Sequence, residues 1–433
     1  MTSFDSSQRV LHGWDPEDPE KWDSRIAQQT LWISTVTLFL GFATWYLVSA
    51  IAPHLNNIGF DLTLTQLYWL TSVPGLTAGL LRLVWMFLPP ILGTRKMVTM
   101  SALLFIIPMV GWGLAVRNPE TPYGWLLALA FMTGLGGGVY SGFMPSTAYF
   151  FPKSKAGTAL GLQAGLGNLG MSAIQLVAPW LLSISLFGIG ALAPQQNTTT
   201  GESVNIHNIA FFFIPWVIVM AIVAWIFLKD VPVTANFRQQ IDIFRNKNTW
   251  LLTLVFVMTF GSLAGISAQL ALLMRNSFDA SAEKFILWVF MFPLVGALTR
   301  AAWGPLCDKF GGAIWTFTSG IGLIITAAIS AVAISRGAES VTLFFFVMLV
   351  FSFFAGMGNA GATKQMPMIL PPRQAGGVMG WTGAIASFGP FFVGVFLSTT
   401  SPSAFFWYLI VYYIIVTAIV WYFYARPKAP FPG

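Results

Sequence analysis

The chain has 433 residues, of which 56% are hydrophobic and only 9% charged, against roughly 25% charged in an ordinary soluble domain. With a mean hydropathy of +0.72, this excludes a large soluble domain and predicts an all-α membrane protein. The formal net charge of +7 does not mark a nucleic-acid binder, because the basic residues follow membrane topology rather than forming one patch.

The first thirty residues are polar and acid-rich, without the apolar core of a signal peptide, so 1–30 reads as a cytoplasmic tail. Windows of about 20 apolar residues predict twelve transmembrane helices. They cover roughly 31–53, 65–92, 97–116, 123–150, 156–187, 207–228, 250–274, 284–307, 313–335, 341–370, 374–398 and 403–425. Six helices fill 31–228 and six fill 250–425, with a linker at 229–249 and a short tail at 426–433. In the linker Phe237, Ile241 and Phe244 fall at helical spacing, which predicts a segment lying along the membrane surface. The polar stretch 193–203 reads as an external loop, and its Asn197-Thr-Thr sequon as an accidental match.

Twelve spans put both termini on one side. Fifteen Lys and Arg fall in the tails and the loops of that side, against four in the opposite loops, so both termini are expected in the cytoplasm. The remaining three, Arg82, Arg300 and Lys364, lie inside predicted helices. Cys307 is the only cysteine, which excludes a disulfide framework within the chain and predicts a buried, inert thiol.

A stretch of the chain occurs twice. Ala78 to Thr94 and Gly296 to Gly312 superpose 218 positions apart, with Leu80 on Leu298, Arg82 on Arg300, Trp85 on Trp303, Leu88 on Leu306 and Gly93 on Gly311. Further on, Gly134-Leu-Gly136 with Met144-Pro145 matches Gly356-Met-Gly358 with Met366-Pro367 at an offset of 222. Gly157, Gly161 and Gly170 match Gly376, Gly380 and Gly389 at an offset of 219. Two parallel six-helix repeats form a known transporter plan with a shared midplane site. Close helix packing accounts for most of the glycines, and use as sliding surfaces is the added expectation. A charge at membrane depth costs ~2.5–3.5 kcal/mol on insertion scales and marks a functional site by default. Two arginines at matched places therefore predict one cationic site shared by the halves. The alternative is snorkelling. Arg82 stands about ten residues, ~15 Å, from its helix end, too far to snorkel easily, whereas the alternative stays open for Arg300 and Lys364.

Gly304-Pro-Leu-Cys-Asp308-Lys309-Phe-Gly311 resembles the cytoplasmic loop motif of the major facilitator superfamily; the first-half counterpart keeps Gly93, Arg95 and Lys96 but has Pro90 in place of the Asp. Phe150-Phe-Pro-Lys153 followed by 156–170, with Gly157, Gly161, Gly165, Gly167, Asn168 and Gly170, resembles the first signature of the nitrate/nitrite porter family. The stretch with Gly376, Gly380, Gly383 and Gly389 resembles the second, and Trp14-Asp-Pro-Glu-Asp-Pro-Glu-Lys-Trp22 is similar to the opening of bacterial members. The resemblance covers essentially the whole chain. It implies a carrier in the cytoplasmic membrane that imports nitrate and releases nitrite, with the anion held by Arg82 and Arg300. It further implies site roles for Tyr140, Asn168 and Phe260. Phe256 stands where the bacterial exchangers carry Tyr, and Lys364 is a second departure from them.

The chemistry agrees with the resemblance. Guanidinium is planar with a fixed fork of donors and meets two oxygens of planar nitrate at once, where lysine offers a point charge. All fifteen carboxylates and the three histidines fall in tails, loops or helix ends, so the intramembrane Asp, Glu or His of a proton relay is missing. That favours obligatory nitrate/nitrite exchange, with nitrate/proton symport through Lys364 as the alternative. The same absence argues against a membrane-embedded enzyme, and no polar stretch is long enough for a sensor's output domain. No cofactor or metal is implied. Nitrate, nitrite and the lipid bilayer are the expected partners, and a monomer the expected state.

Overall fold

The computed structural model describes residues 3–5, 9–185, 193–232 and 241–432. Phe237, the first residue of the expected surface segment, lies outside them. The helices are α1 Ser24–Trp45, α2 Leu64–Trp85, α3 Leu88–Ala115, α4 Tyr123–Ala148, α5 Lys153–Ser183 and α6 His207–Phe227. Then follow α7 (247–278), α8 Met291–Phe310, α9 Gly312–Arg336, α10 Val341–Ile369, α11 Gln374–Thr399 and α12 Pro402–Ala425. Among the described residues ten stretches are long and apolar enough to cross a membrane, and one of them contains both α9 and α10. The twelfth predicted span, α8, is less apolar because it carries Arg300, Asp308 and Lys309.

Several boundaries differ from the hydropathy reading, for local reasons. α1 starts at Ser24 rather than near 31 because Asp23 caps it, its side chain accepting the Arg25 N–H at 2.8 Å; capping by Asp satisfies an orphan donor, and hydropathy does not register polar helical turns. α3 is two helices meeting at Gly93, whose φ of 76° and ψ of 168° break the ladder. The corner between the second and third spans therefore falls where the sequence placed it. The matched Gly311 between α8 and α9 has φ 83° and ψ 159°. The repeat thus preserves a left-handed corner that only glycine adopts readily. In the linker, Ile241–Arg245 forms a 3₁₀ turn instead of an α-helix.

The chain divides into two compact units, one comprising 1–51, 57–60 and 77–236, the other 52–56, 61–76 and 237–433. In the first, α1 and α5 run side by side. A side chain at Gly170 would overlap the Phe39 carbonyl, and one at Gly136 the Gly41 carbonyl, so small residues set these approaches. In the second, α9 packs against α10 and α12, and α8 against α10. There Gln269 of α7 ties α2 to α11: Thr71 Oγ1 donates to its Oε1 at 2.5 Å, and its Nε2 donates to Ser72 Oγ at 3.2 Å and the Pro390 carbonyl at 3.3 Å.

The N-terminal segment is not a bare tail. Trp14 Nε1 donates to the Tyr149 carbonyl at 3.2 Å and Trp22 Nε1 to the Phe150 carbonyl at 2.9 Å. The Lys153 N–H donates to Glu17 Oε1 at 2.7 Å. Leu11 is buried with Ala27, Leu31, Phe150 and Phe151. The backbone of Arg9 and Leu11 pairs with that of Asp230, beyond α6. Asp230 in turn accepts the Arg95 N–H at 2.8 Å, and Arg95 stacks over Trp225 at 4.3 Å. Burial pushes the Asp230 carboxyl above its ordinary value, and the Arg95 N–H and guanidinium pull it back. One strap thus fastens the α2–α3 corner, the α4–α5 turn and the exit of α6. Asp230 thus brings a carboxylate to the Gly93 corner, where the sequence has Pro90 in place of the motif's Asp.

Candidate anion-binding site

Arg82 is only 1% exposed, and α2 ends three residues beyond it at Trp85 rather than near 92 as hydropathy predicted, so full burial within the protein, not distance from the helix end, keeps it from snorkelling. Its Nε donates to the Gly137 carbonyl at 3.0 Å. Its guanidinium carbon stands 4.5 Å from the centre of the Tyr140 ring and 5.9 Å from that of Trp45. Tyr140 is stacked on Phe42 at 6.1 Å. Trp45 and Phe42 come from α1, Gly137 and Tyr140 from α4, which is interrupted at Gly134 and Val139. The run of glycines there lets Trp45 and Leu81 approach the backbone: a Cβ at Gly137 or Gly138 would overlap them. A cation over an aromatic face with one edge tethered is held in plane and orientation, as planar recognition of a small anion requires.

Asn168 of α5 belongs to the same unit. It is 1% exposed, and neither Oδ1 nor Nδ2 has a hydrogen-bond partner among the described residues. Buried carboxamides are normally satisfied, and the free Nδ2 of this one can donate to an acceptor oxygen such as an anion offers. The first unit therefore gathers Arg82, Tyr140 and Asn168 as buried or half-buried polar groups of one bundle.

In the second unit Arg300 is half-buried on α8. Phe256 and Phe260 are buried with ring centroids 6.0 Å apart. Phe256 precedes and Phe260 lies within a π-helical turn at Val257–Gly261, a feature frequent at functional sites and not legible in the apolar run. Lys364 has another engagement: its ammonium pairs with the Asp308 carboxylate at the ends of α10 and α8, both half-exposed or more.

The signature glycines fall into two groups. Gly167 faces Leu38, Gly170 faces the Phe39 carbonyl and Gly389 faces the Gly261 carbonyl, all too close for a side chain. Gly157, Gly161 and Gly376, earlier in each signature, are exposed with nothing within 4 Å of a built Cβ. Packing explains the later members and not the early ones. Gly165 and Gly383 are buried and Gly380 is half-buried. Cys307 is buried and in no disulfide.

Comparison with known proteins places the chain. The Major Facilitator Superfamily model matches residues 33–389 and 251–432. A protein named probable nitrate/nitrite antiporter NarK2, from Thermus thermophilus, is 48% identical over 430 residues, 97% of each chain. The nitrate/nitrite transporter NarU of Escherichia coli K12 is 35% identical over 373 residues, 84% of this chain and 79% of its own. A solved bacterial homolog of the human lysosomal transporter Spinster, in an inward-facing conformation, shares the fold with a TM-score of 0.68 at 18% identity, covering 92% of this chain and 97% of that one. With twelve long helices among its described residues and a sequence repeat that relates its two halves, this multi-pass membrane protein belongs to the major facilitator superfamily, within the group formed by the bacterial nitrate/nitrite porters.

Proposed function

We propose that the protein exchanges nitrate for nitrite across the inner membrane. The two six-helix halves, 31–228 and 250–425, alternate access to an anion site built from Arg82, Tyr140 and Asn168 on one side and Arg300, Phe256 and Phe260 on the other. Both termini face the cytoplasm, and the carrier works as a monomer without a cofactor. The observation that carries the reading is Arg82: it is a fully buried guanidinium, tethered at Nε and lying over Tyr140, and a charge at membrane depth marks a functional site by default. The names of the relatives supply nitrate and nitrite as its anion.

Exchange is favoured over proton symport because the one buried carboxylate among the described residues, Asp230, lies outside the spans. Lys364, the remaining candidate for proton coupling, faces the Asp308 carboxylate and serves in this reading as an ion pair at the ends of α8 and α10. Nitrate uptake into proteoliposomes is expected to require internal nitrate or nitrite and to be indifferent to a proton gradient. Uptake into anion-free vesicles, driven by an inward proton gradient, would replace exchange by symport.

A further inference from the structure

In the second unit α10 lies along α8 in parallel register. Ser352 Oγ donates to the Phe292 carbonyl, and one turn on, Gly356 abuts the Gly296 carbonyl so closely that any side chain would overlap it. The next step of four residues along each helix brings Asn359 and Ala360 level with Arg300. Asn359 is completely buried, and neither its Oδ1 nor its Nδ2 has a hydrogen-bond partner among the described residues. A buried amide with donor and acceptor both unmade destabilises the fold that keeps it.

The internal repeat shows what the same place does in the first unit. The offset of 222 that carries Gly134 to Gly356 and Gly136 to Gly358 carries Gly137 to Asn359. The Gly137 carbonyl is the group that accepts from Arg82 Nε. Where one half holds its arginine with a backbone oxygen, the other half places a carboxamide, which has an oxygen to accept and an N–H pair to donate. Asn168 repeats the pattern as a buried and unsatisfied carboxamide of the first unit, and Gln163 is another there.

We propose that Asn359 is a binding residue of the anion site: its Oδ1 orients the Arg300 guanidinium, and its Nδ2 donates to an oxygen of the bound oxyanion. The proposal rests on the anion-carrier reading above and adds a neutral donor to the second half, opposite in the repeat to a carbonyl that cannot donate. An N–H pair discriminates between anions by the oxygens they offer, so the residue bears on nitrate against a spherical anion.

The test is the nitrate response of the purified protein, read as thermal shift and by calorimetry. Asn359→Leu removes both polar atoms at nearly constant volume. It is expected to raise Tm without nitrate, since the unmade amide is gone, and to lose the nitrate-dependent rise of Tm with at least a tenfold weaker Kd. A raised Tm with the wild-type nitrate shift and Kd intact overturns the proposal, because the carboxamide is then only structural. If Asn359→Leu does not fold, Asn359→Asp takes its place: the new carboxylate engages Arg300 and should abolish nitrate binding, and an unchanged Kd overturns the proposal equally. A wild-type protein indifferent to nitrate counts against the substrate reading instead. Titration with nitrite and chloride then tests Asn359 by itself, loss of the response in Asn359→Leu supporting the assignment and retention refuting it.

Discussion

Arg82→Lys keeps the charge and removes the fork, so it separates the two things the site asks of that residue. In the wild type, Nε is spent on the Gly137 carbonyl at 3.0 Å, and the guanidinium plane lies over Tyr140 at 4.5 Å. Lysine has a single nitrogen, which cannot hold that carbonyl and bridge two oxygens of a planar anion together. The ring contact survives in part, because an ammonium is also drawn to an aromatic face. The net loss is then about one hydrogen bond to a charged group, ~1.5–3 kcal/mol, or roughly 10- to 150-fold in Kd. Nitrate titration by calorimetry reads this directly, with circular dichroism confirming that the helices are intact. Arg300→Lys should weaken nitrate binding in the same direction. A folded Arg82→Lys protein that binds nitrate within threefold of wild type would show that charge alone suffices and that the planar argument is wrong.

Other outcomes follow from particular contacts. Phe256→Tyr restores a hydroxyl and should tighten nitrate binding by at most ~1.5–3 kcal/mol; unchanged or weaker binding in calorimetry assigns the position to packing against Phe260. Gly170→Ala should lower Tm, overpacking typically costing ~1–3 kcal/mol, because its Cβ would overlap the Phe39 carbonyl. Gly157→Ala meets nothing and should hold or raise Tm through helix propensity, yet slow counterflow if that surface is covered at another stage of the cycle; full-rate counterflow removes the sliding role. His54, in the connection between α1 and α2, is held neutral by burial and the nearby Arg275 charge, its pKa lowered from 6.5 to about 3. Its folded value is depressed, so its contribution is complete above about pH 6.5 and declines as pH falls toward 3. Acid unfolding curves of His54→Gln should be flatter across that window.

Sequence reading reached as far as local rules extend. The Gly93 and Gly311 corners were visible because the repeat aligned them and because glycine is the residue that tolerates such a φ. Arg82 was visible because a charge within an apolar run is conspicuous. Its tether was not, since Gly137 contributes a backbone oxygen and carries no chemical signal in its side chain. The contact of Asp230 escaped for a related reason: it reaches the Gly93 corner from a distant place in the chain, 135 positions beyond Arg95. Lys364 was singled out by depth alone, and the Asp308 carboxylate that meets it depends on the relative rotation of two helices, which hydropathy does not encode.

The N-terminal strap also sets an order in time. Trp22 and Trp14 precede the carbonyls they bind by 128 and 135 residues. At about 5–20 residues per second, the segment is made roughly 6–26 s before the α4–α5 turn exists to receive it. It waits longer for Asp230, to whose backbone Arg9 and Leu11 bond. The segment leaves the ribosome before the helices it straps and is therefore the last piece of its bundle to be fastened. A docked strap reports that α1 to α6 are all in place.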